Sequence, residues 1–75
     1  MREVVVKIGR INDNGTKECI LANGSDVEDL LEQSIYDIDE DKEVIIARST
    51  GRTVELEDKL VDGEVYIISP NIKSA

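Results

Sequence analysis

Cys19 is the chain's one thiol, and a thiol is the first group to weigh for chemistry. A reactive cysteine needs a cation or a helix N-terminus nearby to lower its pKa. The charge next to Cys19 is Glu18, which acts the other way, so a small packing residue is expected here. Asp37, Asp39 and Asp41 alternate like the opening of a calcium loop. Such a loop requires glycine at its sixth position and glutamate at its twelfth. Lys42 and Arg48 stand there instead, so the motif fails. The chain has no histidine, which removes most metal sites and any hydrolytic triad. Gly9 and Gly51 form no phosphate loop, because no glycine-rich run precedes a Lys-Ser or Lys-Thr pair. Carboxylates abound, but two of them make an acid/base pair only in a cleft that drives their pKa values apart. A chain of 75 residues has little room for one. The residues point to a non-enzyme, with no cofactor and no metal.

The carboxylates matter through their placement. Residues 26–43 hold nine acids and one base, Lys42, and so supply the whole net charge of −8. The other eight acids and eight bases cancel. Nucleic-acid binding calls for a basic patch, and none is visible, so no nucleic acid is expected. The acidic region reads first as a solubilising face, and second as a surface that steers a basic partner.

The elements that would position these groups follow from patterning. One domain is expected, since domains run to about 100–200 residues. No apolar run approaches the roughly 18 residues that span a bilayer. The N-terminus is too short and too soon interrupted for a signal peptide, so no membrane role and a cytoplasmic location are expected. Residues 3–8 read as a strand, with Val4, Val6 and Ile8 on one face and Val5 and Lys7 on the other. Asn12-Asp13-Asn14-Gly15 turns the chain into a second strand over 16–22. Ser25 or Asp26 caps a helix whose apolar stripe is Val27, Leu30, Leu31 and Ile35, fading near Tyr36. Strands over 43–48, 52–56 and 64–69 follow, and Pro70 ends the last.

The order β-β-α-β-β-β gives an α+β fold, with one helix covering one face of a mixed four- to five-stranded sheet. Val27, Leu30 and Leu31 should pack on Val4, Val6 and Ile46. The other face should be open to water. Val5 belongs there, but the registers of Cys19-Ile20-Leu21 and Val65-Tyr66-Ile67-Ile68 stay open.

Two segments carry a family resemblance. Ala22-Asn23-Gly24-Ser25-Asp26-Val27-Glu28-Asp29-Leu30-Leu31-Glu32-Gln33 looks like a strand end, glycine, cap and Val-x-x-Leu-Leu helix. Leu60-Val61-Asp62-Gly63-Glu64-Val65-Tyr66-Ile67-Ile68-Ser69-Pro70 looks like a Leu-x-Asp-Gly-acid turn, last strand and proline. Together they resemble the sulfur-carrier proteins of thiamine and molybdopterin synthesis, the ThiS and MoaD types, in the ubiquitin-like β-grasp superfamily. The resemblance implies a β-grasp domain over 1–70, and residues 71–75, which follow Pro70 and lack a strand pattern, are expected to form a flexible tail. Those carriers end in Gly-Gly, whose carboxylate is adenylated and converted to a thiocarboxylate. This chain has Ser74-Ala75 there, and each adds a Cβ where glycine leaves room.

The leading expectation is therefore a ubiquitin-like interaction module, monomeric, binding a protein partner through its open sheet face, its tail, or both. Val5, Ile67 and Ile72 supply apolar contacts, and Lys7, Lys17 and Arg48 a polar rim. The alternative is a sulfur carrier or protein modifier, activated at Ser74-Ala75 by a ubiquitin-activating-type enzyme.

Overall fold

Alternating Val4, Val6 and Ile8 force β1 to bury one side, and that side fixes the rest of the molecule. The computed structural model describes residues 2–11 and 15–71. In it, β1 (Glu3–Arg10) pairs antiparallel with β2 (Lys17–Ala22). The chain continues through α1 (Val27–Ser34), β3 (Glu43–Ala47), β4 (Arg52–Val54) and β5 (Val65–Pro70). The sheet order is β2-β1-β5-β3-β4. Only β1 and β5 run parallel; every other pair is antiparallel. α1 lies on one face, giving two layers around one core.

The core follows from the register. Val4, Val6 and Ile8 share their face with Leu21 and Cys19 of β2, Tyr66 and Ile68 of β5, and Ile45 and Ala47 of β3. Val27, Leu30 and Leu31 of α1 close over them, and all are buried. The expected partner in β3 was Ile46. Ile45 takes that place, and Ile46 is half-buried on the far face. The run Val44-Ile45-Ile46-Ala47 is apolar throughout, so it carries no alternation to set its phase. The pairing of Ile45 with Ile68 sets it.

α1 is shorter than its apolar spacing suggests. Asp26 caps it in a reciprocal box, accepting from the Asp29 amide (2.9 Å) while the Asp29 carboxylate accepts from the Asp26 amide (3.2 Å). The first turn is anchored from below, where the Val27 and Glu28 amides donate to the carbonyls of Asp58 and Leu56 (both 3.0 Å). The helix ends at Ser34, and Ile35 caps it in the left-handed region at φ 61. Ile35 was expected in the buried stripe. The left-handed cap swings it outward instead, and it is 85% exposed.

The Leu60-x-Asp62-Gly63-Glu64 turn acquires a mechanical explanation. Leu60 is buried. The Asp62 carboxylate accepts from the Val5 amide (2.8 Å), and the Gly63 amide donates back to the Val5 carbonyl (2.8 Å). Gly63 does so at φ 84, where a side chain would be strained. The turn thereby joins β5 to β1 one step before their parallel ladder begins.

Candidate functional site

The face of the sheet opposite α1 has no covering element among the described residues. Its side chains are set by the same register that builds the core. Ile20 sits beside Val5, Val65 beside Lys7, and Ile67 between Gly9 and Ile46. An apolar band therefore runs obliquely across four strands, from Ile20 (50% exposed) and Val5 (36%) through Val65 and Ile67 to Ile46.

Basic groups flank the middle of the band. Lys7 stands beside Val65 on β1. Arg48 stands on the other side, its amide donating to the Val65 carbonyl (2.9 Å). At the end of the band, Ile67 and Arg48 join Arg10, Ile11, Gly15 and Thr16 around a hollow. Gly9 makes this possible. A Cβ at Gly9 would lie 2.9 Å from the Gly15 carbonyl oxygen and 3.1 Å from Thr16 Cγ2. Only glycine lets the end of the hairpin fold over the sheet so closely. Ile11 projects beside the hollow, 58% exposed.

Of the residues expected to bind, Val5, Lys7, Arg48 and Ile67 are placed together on this face. Lys17 is not. It shares the phase of Ile8, on the helix side, and its Nζ reaches the Ser34 carbonyl at the end of α1 (3.4 Å). Ile72, Ser74 and Ala75 lie outside the described residues. Ile20, Ile46 and Ile11 were not singled out. Pairing Val5 outward in the hairpin would have revealed Ile20, but only once the loop length fixed the register. The phase of Ile46 had no signal of its own.

The groups that could have done chemistry are occupied with structure. Cys19 is buried beside Val6, and its pKa is raised, chiefly by burial and further by Glu18, with Lys17 opposing. Asp39 is a turn residue, its carboxylate accepting from the Asp41 amide (3.1 Å) and its carbonyl from Lys42 and Glu43. Glu43 accepts from the Asp39 amide and pairs with Arg10, which also donates to the Asp37 carbonyl. The amide and then the guanidinium hold the Glu43 carboxyl below its ordinary range, against some desolvation. Tyr66 is buried with its hydroxyl accepting from the Val61 amide (3.1 Å), and burial raises its pKa. Among the described residues no helix is long and apolar enough to cross a membrane.

Two solved structures are similar to the chain over nearly its whole length. The N-terminal ubiquitin-like domain of the 4931431F19Rik protein superposes with a TM-score of 0.62 at 23% identity, covering 99% of this chain and 80% of that one. The ubiquitin of Caldiarchaeum subterraneum superposes with a TM-score of 0.66 at 13% identity, covering 99% of this chain and all of that one. The fold is the ubiquitin-like β-grasp. At these identities the likeness is one of fold alone. No protein-family model and no curated protein matches the chain. The two likenesses support the ubiquitin-like fold and give the narrower sulfur-carrier resemblance no specific support. On this fold the apolar band lies on the sheet face that the helix leaves bare.

Proposed function

We propose that this ubiquitin-like domain is a protein-interaction module that docks its partner on the open sheet face. The observation that carries the reading is the continuous band Ile20–Val5–Val65–Ile67–Ile46, with Lys7 and Arg48 beside its centre. Scattered single hydrophobics need no explanation, but a contiguous apolar strip rimmed by polar groups marks an interaction site. Rigid strands hold its side chains in place, so binding orders little that is not already ordered. Arg48 and Lys7 favour a partner that brings carboxylates to the rim of an apolar contact.

Crosslinking in host extract tests the reading, with three forms compared: unaltered protein, Ile20→Lys with Ile67→Ser, and deletion of Ser74-Ala75. The expected partner is retained by the deletion and lost from the face variant, since truncating central anchors costs about 2 kcal/mol or more, roughly thirtyfold in affinity. The carrier alternative predicts the reverse. Incubation with ATP and host extract, the source of activating enzyme, sulfur donor and acceptor amines, would then convert the Ala75 carboxylate to an adenylate, a thiocarboxylate or an isopeptide, visible by intact mass. Such an adduct, with capture unaffected by the face variant, would refute the docking reading.

A further inference from the structure

On the helix side of the sheet, at the edge of the core, the molecule carries a second apolar surface that the proposed docking face does not include. Leu31, Tyr36, Ile38 and Leu56 line a shallow groove where α1 ends, with Ile35 at its lip. Ile35 is the most exposed large hydrophobic among the described residues, at 85%. It is also the one non-glycine described residue with positive φ. A β-branched residue in the left-handed region is strained, and glycine or asparagine would end the helix there without strain. One residue thus combines an unfavourable backbone with an unfavourable exposure. The left-handed backbone ends α1 and brings the Tyr36 amide to the Leu31 carbonyl (3.3 Å), but it does not call for a β-branched side chain, and that choice and its exposure are explained if Ile35 meets a partner.

The rim of the groove states the partner's chemistry. Glu28, Glu32 and Asp37 stand around it, all exposed. Among the described residues the one ion pair is Arg10–Glu43, so none of their cations pairs with these three carboxylates; Arg10 reaches Asp37 only at its backbone carbonyl. The last turn of α1 holds no basic residue. We propose that the groove docks a basic amphipathic segment of a partner protein, with apolar side chains against Ile35 and Leu31 and flanking Lys or Arg meeting Glu28, Glu32 and Asp37. A second copy of this chain is disfavoured, because it would bring a net charge of −8 to an acidic rim. Anionic membrane surfaces and nucleic acid are repelled for the same reason. The groove and the open sheet face lie on opposite sides of the sheet, so both can be filled at once and each can fail alone.

The test uses a synthetic three-turn peptide with Leu and Ile on one face and Lys and Arg on the other, titrated into the labelled full chain and followed by amide chemical shifts. A counterpart carries Gln in place of every Lys and Arg. Ile35→Asn suits the left-handed cap, so that variant keeps its fold. Shifts are expected at Ile35, Asp37 and Ile38, with affinity falling about tenfold in Ile35→Asn and in Glu28→Gln/Glu32→Gln/Asp37→Asn, while Ile20→Lys binds as the parent does. Shifts confined to Val5, Ile20 and Ile46 would overturn the proposal. So would equal binding of the uncharged peptide, unchanged affinity in Ile35→Asn, or no binding at all. Concentration-dependent broadening at the groove without peptide would make the occupant a second copy, and would overturn it too.

Discussion

Glu64 holds two parts of the sheet together with one carboxylate. It is 9% exposed, and it accepts from the Ser49 amide (3.0 Å), the Ser49 hydroxyl and its own neighbour's amide at Val65 (3.0 Å). The β3–β4 turn is thereby fastened to the start of β5. The Ser49 hydroxyl, helped by the two amides and opposed by desolvation, lowers its pKa from the ordinary carboxylate value. A carboxyl whose pKa is lower in the folded state stabilises the fold above its unfolded pKa, and loses that contribution as pH falls through the folded one. Glu64→Gln is therefore expected to lose about 1.5–3 kcal/mol at pH 7, the worth of hydrogen bonds to a charged group. The gap to the parent should narrow as pH falls through the ordinary carboxylate range and close only below the lowered folded pKa of Glu64, where both proteins carry a neutral side chain. Urea melts at several pH values read this directly, and a gap that stays constant with pH would refute the role. Ile35 makes the opposite prediction. Replacing it with asparagine relieves a left-handed β-branched residue, so stability should rise by about 0.5–1 kcal/mol in a thermal melt.

At the scale of elements, the strength of each sequence signal decided what could be read. β1 alternates, so its buried and exposed faces were legible from Val4, Val5, Val6, Lys7 and Ile8 alone. α1 was legible at its start, because Asp26 and the glycine before it punctuate the chain, but not at its end. Ile35 continues the apolar spacing, and only the backbone's left-handed turn removes it. β3 was legible as a strand and illegible in phase, since Val44 to Ala47 are apolar without interruption. Tertiary pairing with β5 made the choice. The proposed docking face inherited that limit: Val5 and Ile67 could be named, while Ile20 and Ile46 had to wait for register. The two phases of β3 make different energetic predictions. Ile45 is 2% exposed, and Ile45→Ala should cost about 2–5 kcal/mol. Ile46 is only half-buried on the open face, and Ile46→Ala should cost clearly less. Denaturant midpoints that reverse this order would show the register to be wrong.

At the scale of the whole molecule, charge and apolar surface are segregated. The segment 26–43 carries −8 and the remainder is neutral, so the molecule is strongly polar in the electrostatic sense. Part of that excess has a local cause, since Asp26 and Asp29 cap α1. Glu32 and Glu40 have none: both are exposed, and neither accepts a hydrogen bond from another described residue. On the proposed groove-docking reading, Glu32 lies on the rim of the groove and Glu40 outside it, and both would add to a field that draws a basic segment toward this end of the molecule. Such a field acts on encounter, and mutating rim charges changes association far more than dissociation. Replacing Glu32 and Glu40 with Lys removes four units of negative charge, taking the net charge from −8 to −4. The association rate of a Lys- and Arg-bearing peptide should fall, by about tenfold at low ionic strength, with the dissociation rate little changed. Raising salt to about 1 M shortens the screening length to about 3 Å, and the two proteins should then associate at nearly the same rate. Stopped-flow traces across a salt series measure both quantities. Equal rates at low salt, or a difference that persists at high salt, would reduce the acidic region to a solubilising surface with no part in recognition.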